Sequence, residues 1–278
     1  MTEIYRGDDA SRHIIIHGDN WPVVSATEHM VKAILPAGRC ETTSGTVALL
    51  QKLARSPDAS LILCLRPREH VFLFCALKNA LLSHPALVIS DELLFSDRVV
   101  LHNYGGIPAV LHQELAGTVA RLRQGDSPYP VKGVLADFLS DPRPATGLFA
   151  VPLIFDRPDR LMNYMELLMY RATVSCGLTP AQQRLLREVH RGQNRLADMT
   201  GTLGSGKKKI WQDKDQLLMK LGMRNRLREL LHGTRFCMAE QRTRFITPDE
   251  AERLYVAPVF SCFPDSGKKG KMDNRLKV

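Results

Sequence analysis

Short apolar blocks and amphipathic stretches alternate through the first half of the chain. His13 to Ile16 is a compact β-rich run that predicts a strand, and Val23 to Leu35 carries helical spacing. Arg39 to Thr43 predicts a second strand, Thr46 to Arg55 a helix, Leu61 to Leu65 a buried third strand, and Val71 to Leu82 another helix. Ala86 to Ser90 and Pro108 to His112 supply the fourth and fifth strands. Between those two lies a helix or loop around Leu93 to His102, and Glu114 to Arg123 predicts the closing helix. Five such units imply a parallel sheet covered on both faces, with any site at the carboxyl ends of the strands.

The rhythm changes after residue 125. A Pro-rich stretch (Pro128, Pro130, Pro142, Pro144) precedes a helical segment from Arg160 to Arg171, with Leu161, Tyr164, Leu167 and Leu168 at core spacing. From residue 178 onward helical signals dominate. Thr179 can cap a helix that opens on Pro180, and Gln182 completes a capping-box pattern ahead of Leu185, Leu186 and Val189. Gly192 closes that helix, and Leu196, Met199 and Leu203 space a short second one that ends at Gly204, Ser205 and Gly206. Ile210, Leu217, Leu218 and Leu221 then form one apolar stripe of a third helix, with Lys208, Lys209, Trp211, Gln212 and Asp215 directed away from it. The expected organisation is a sheet domain over 1–125, a connector over 126–177, a helical domain over 178–234 and a basic extension over 235–278. The end of that extension, GKKGKMDNRLKV, reads as a disordered tail.

Two helices joined by a tight turn, the second basic near its start, suit docking of a recognition helix in the DNA major groove. The LTP opening, the LL and EV pairs, the glycine, the acidic-Met-Thr triplet with Leu203, and the closing KLGM resemble the LuxR/NarL-type helix-turn-helix. The resemblance covers roughly the size of a three- or four-helix module. It implies DNA contacts from Lys207, Lys208, Lys209, Trp211, Gln212 and Lys214. The chain departs from that family at Gly206 and Lys209, where Ser and Thr are usual, and it places Trp211 and Asp215 at positions that touch bases in relatives. Trp211 is read equally well as a groove contact or as a core or dimer contact.

Charge agrees with this division. Residues 178–278 hold 21 Lys and Arg against 11 Asp and Glu, while residues 1–177 hold 17 against 18. The whole excess of the +9 chain thus lies with the helical part, as expected where one region meets a polyanionic backbone. Six scattered cysteines without a CxxC pair suit reduced thiols and argue against a zinc site. The absence of a secretory apolar region leads us to expect a cytoplasmic protein, and the lack of a long apolar span or amphipathic basic helix argues against a membrane partner. No GxSxG, HExxH or Walker pattern occurs, and GTLGSGKKK lacks the hydroxyl residue after its lysine. No enzyme activity and no cofactor are expected.

Set before a LuxR/NarL-like domain, the sheet half is similar to the receiver domain of response regulators, a flavodoxin-like fold. The PVV at 22 to 24 after Asp19 and Asn20 adds to the likeness. The resemblance implies a pocket at Asp19, Asn20, Cys64, Ser90 and His112, but a degenerate one. Asp19 and Asn20 replace an acidic pair, Cys64 or a neighbour stands where a phosphate-accepting Asp belongs, Ser90 keeps a hydroxyl, and His112 stands near the position of a Lys. One carboxylate is a poor magnesium site. Cys64 reads as a small buried hydrophobe or as a redox-sensitive thiol. The expectation is a transcription regulator that binds double-stranded DNA without receiver phosphorylation, as a homodimer or as a heterodimer with a true response regulator. An interaction protein that sequesters such a regulator without touching DNA is the alternative.

Overall fold

The computed structural model describes residues 12–115, 117, 133–192, 199–224 and 226–256. The expected closing helix after Glu114, Leu196 and Asp198 before the short second helix, and the terminal tail fall largely or wholly outside them. Five parallel strands, β1 (His13–Gly18), β2 (Arg39–Thr43), β3 (Ser60–Cys64), β4 (Ala86–Ser90) and β5 (Ala109–Leu111), form one sheet in the order β2-β1-β3-β4-β5. This is the doubly wound, flavodoxin-like order, whose strand ends form a crevice where the order reverses. The register aligns Ile16 with Thr42 on one side and with Ile62 on the other, and it sets Gly18 opposite Cys64. A Cβ on Gly18 would lie 2.5 Å from the Cys64 carbonyl oxygen, so only glycine lets β1 and β3 approach there.

Between the strands run α1 (Trp21–Ile34), α2 (Thr46–Arg55), α3 (Val71–Ala76), α4 (Lys78–Leu81) and α5 (Phe95–Asn103). The single helix expected over Val71 to Leu82 is divided at Leu77, whose ψ of −3° flattens the turn between α3 and α4. The segment around Leu93 to His102 is helical because Asp97 accepts the Leu94 N–H at 2.8 Å, satisfying a donor at the helix start.

Alternation along the strands creates two cores. Ile14, Ile16, Ile62, Cys64 and Ile89 face α1 on one side, where α6 (Val134–Ser140) adds Leu135, Phe138 and Leu139. That seven-residue helix was concealed by the Pro-rich composition around it. Ile15, Leu61, Leu63 and Val88 face α2 and α3 on the other side. This second core runs without a break into the C-terminal helices, α7 (Pro158–Ser175), α8 (Pro180–His190), α9 (Met199–Leu203), α10 (Lys207–Lys220) and α11 (Leu227–Gly233). The last helix among the described residues, α12 (Pro248–Val256), returns to pack on α2 and α3. Among the described residues no helix is long and apolar enough to cross a membrane.

Candidate nucleic-acid interface and strand-end cleft

The helical module is built around α8. Its capping box is formed as expected: Gln182 N–H donates to Thr179 Oγ1 at 3.3 Å, and Thr179 N–H donates to Gln182 Oε1 at 3.0 Å. Gln182 is fully buried and does a second job, because Lys220 Nζ also donates to its Oε1 at 3.0 Å and ties the end of α10 to the start of α8. The KLGM signature closes α10 as a Schellman cap. Met223 N–H donates to the Leu218 carbonyl at 2.9 Å, Gly222 N–H donates to that of Met219 at 3.0 Å, and Gly222 takes the required left-handed φ of +58°. The Arg98 guanidinium, from α5 of the sheet half, donates to the Leu221 and Gly222 carbonyls at this negative helix end.

Held at its C-terminal end, α10 leaves its N-terminal end outward. Lys207, Lys208, Lys209 and Gln212 are exposed, and Trp211 is 52% exposed, which excludes the core reading of its ring. Gly206 supplies no side-chain cap, so the positive pole of the helix and three lysines meet at one place. Lys214 departs from expectation. It is 3% exposed, its Nζ lies 4.0 Å from the Trp211 ring centroid and 3.1 Å from Asp215, and it backs the tryptophan instead of joining the lysine face. Lys209 is exposed but lies 3.1 Å from the buried Asp213 one turn on, which leaves Lys207 and Lys208 as the freer cations.

In the sheet domain, the strand ends bring the remaining candidates together. Asp19, Asn20, Cys64, Ser90 and His112 all line one cleft at the carboxyl edge of the sheet. Their chemistry differs from residue to residue. Asn20 is exposed and precedes α1. Cys64 ends β3, donates its thiol to Thr27 Oγ1 at 3.5 Å, and is pushed by burial to a pKa of about 12, the state of an inert small hydrophobe and not of a reactive thiolate. Ser90 is buried and spends its hydroxyl on the Glu92 carbonyl at 2.8 Å. His112 Nε2 is buried without a hydrogen-bond partner among the described residues.

Sequence reasoning missed the residues that dominate this cleft. Arg66 and Glu69 follow β3, Asp91 follows β4, and Arg242 arrives from the C-terminal segment. Polar residues directly after a buried strand were the available signal for the first three. They form one chain of alternating charge. Arg242 contacts Asp19 at 2.7 Å and Glu69 at 2.8 Å, while Arg66 contacts Glu69 at 3.0 Å and donates from Nε to Asp91 at 2.8 Å. Burial alone would raise the Asp19 carboxyl, but Arg242 and His70 outweigh it and hold it below the ordinary carboxylate range.

A divalent ion does not fit this donor set. The pocket's Asp19 and Glu69 carboxylates already face a guanidinium, and no cluster of three acidic, His or Cys groups suited to a metal occurs among the described residues.

No known sequence family and no curated protein matches the chain. Among solved structures it is similar to RcsB from Salmonella enterica serovar Typhimurium bound to promoter rprA with a phosphomimetic (18% identity, 80% of this chain and 97% of the other, TM-score 0.44). It is also similar to a structure of two RcsB dimers bound to two parallel DNAs (18% identity, 79% and 95%, TM-score 0.45) and to the response regulator StyR (15% identity, 80% and 96%, TM-score 0.32).

Proposed function

We propose that this chain is a cytoplasmic, DNA-binding transcription regulator whose sheet domain works without phosphorylation. The observation that carries this reading is the exposed N-terminal end of α10, where Lys207, Lys208, Lys209, Trp211 and Gln212 share a surface with the positive helix pole. Lysines there neutralise phosphates while Gln212 and Trp211 reach toward bases, a division of labour suited to a recognition helix. One recognition helix reads one half-site, so reading two calls for a second copy or a response-regulator partner. Charge pairing at Lys209 and the burial of Lys214 favour a second reading, in which the chain binds only a partner regulator.

Salt-dependent binding to promoter fragments separates the two. Replacing Lys207 and Lys208 together with Ala is expected to lower affinity on the order of tenfold or more at physiological salt, and to flatten the log-log salt slope by nearly two. Unchanged affinity and slope would leave the interaction-only reading standing. A complementary expectation concerns the cleft. With a buried thiol at the end of β3 and Asp19 engaged by Arg242, incubation with acetyl phosphate and magnesium should give no aspartyl adduct by intact-protein mass, and a stoichiometric adduct would refute phosphorylation-independent action.

A further inference from the structure

We infer that Arg242 is the resident cation of the strand-end cleft, and that through it the C-terminal segment is latched onto the sheet domain. The guanidinium bridges Asp19 at the end of β1 and Glu69 after β3, two elements that end at the same edge of the sheet. It thus supplies, from within the chain, the positive charge that a pair of carboxylates at this edge attracts.

The bridge does not act alone. Arg242 N–H donates to the Glu69 carbonyl at 2.8 Å, so backbone and side chain grip the same residue. Gln241 beside it reads the loop after β3 on both sides: its Oε1 accepts the Val71 N–H at 2.9 Å and its Nε2 donates to the Arg68 carbonyl at 2.8 Å. Thr243 Oγ1 meets His70 Nδ1 at 2.7 Å, while His70 Nε2 lies 3.4 Å from Asp19. Three consecutive residues of the C-terminal segment are therefore matched by side-chain bonds to consecutive residues of the sheet domain.

The upstream end of the same segment is fixed to the helical module. Glu240 Oε1 pairs with His232 of α11 at 3.1 Å, and Phe236 N–H donates to Glu166 of α7 in the connector that precedes the module. The strap thus runs from the DNA-facing module to the cleft and ends on Arg242. A response to phosphate would require a cation to enter this cleft. Here the cation is built into the strap, so the same contact that fills the cleft also holds the strap on the sheet domain, beside the shared core and the Arg98 contacts that join the two parts. The latch is independent of any signal that acts by bringing a metal.

Hydrogen-deuterium exchange on the full-length protein tests this. Arg242→Gln is expected to speed exchange of the amides over 238–246 by about fivefold, the scale of a half-exposed charged pair. The Asp19→Asn, Glu69→Gln double variant should do the same, and adding Arg242→Gln to it should bring no further increase. Amides of β3 and β4 should keep their protection in every variant. Unchanged strap exchange in Arg242→Gln, acceleration in Arg242→Gln without acceleration in the carboxylate variant, or equal loss of protection in β3 and β4 would each overturn the inference. Manganese at millimolar concentration provides the second readout. It should leave the Asp19 and Ser90 amide resonances of the wild-type chain unbroadened, and selective broadening there would show that the cleft still takes a metal.

Discussion

Asp97→Ala is expected to lower unfolding stability by about 3 to 5 kcal/mol, because it strips a buried guanidinium of its best partner. Asp97 is 0% exposed and accepts three hydrogen bonds: from the Arg68 N–H at 2.9 Å, from the Arg68 guanidinium at 2.6 Å and from the Leu94 N–H at 2.8 Å. Arg68 is itself buried, and after the substitution only Glu69 and the half-exposed Glu92 remain near its charge. The carboxylate also joins the start of α5 to the loop that carries Arg66, Glu69 and His70, so the cleft and the strap contacts depend on it. Asp97→Asn loses the charge and turns an NH2 toward one of these donors, so it should cost a comparable amount. Urea unfolding of the two variants measures this; a loss below about 1 kcal/mol in the Ala variant would show that the pair is stabilised far less than its burial implies.

A second large effect should appear on acidification. His17, near the end of β1, is buried beside Leu63 of β3, and burial followed by the nearby His70 lowers its pKa from 6.5 to about 4. The unfolded chain takes up this proton near 6.5 and the folded chain only near 4. Above pH 6.5 both states are neutral at this site and nothing is lost. Between those values the folded state loses stability as pH falls, by about 2 kcal/mol at pH 5 and about 3 kcal/mol once both states are protonated. His70 and His84, also lowered chiefly by burial, act in the same direction. His17→Gln removes this titration, so its stability at pH 5 should fall less from the pH 7 value than the wild type's by about 2 kcal/mol. An equal fall in both proteins would show that His17 is not the group responsible.

Much of the sheet was legible from local pattern. The expected limits of β2, α2 and β4 coincide with the observed ones; α2 carries a clear helical period, while the two strands were delimited by the turn residues around them. The capping box at Thr179 and Gln182 was likewise written in four consecutive residues. Lys214 carries the same kind of signal. It lies four residues from both Ile210 and Leu218, so the stripe that identified α10 also placed it on the inward side, where Trp211 and Asp215 accommodate its charge. Arg242 had no such local signature. Its partner Asp19 is 223 residues away, and no periodicity relates them. The cleft was therefore foreseen as a place, through the topology of the strands, while the group that fills it was not.

The return of α12 to the sheet has a consequence for the order in which the molecule is made. Tyr255 sets its hydroxyl within 3.2 Å of His84 Nε2 and 3.1 Å of Ser83 Oγ, and Ala251 enters the core beside α2 and α3. The outer wall of the first domain is thus completed by residues translated long after β5. At roughly 5 to 20 residues per second, a nascent chain waits on the order of ten seconds between emergence of Leu111 and of Val256. During that interval α2 lacks its cover, and the sheet half is exposed to proteases and to holdase chaperones in a form the finished protein never presents. Truncation before Pro248 should therefore shorten the lifetime of the new chain, because it removes the cover of α2.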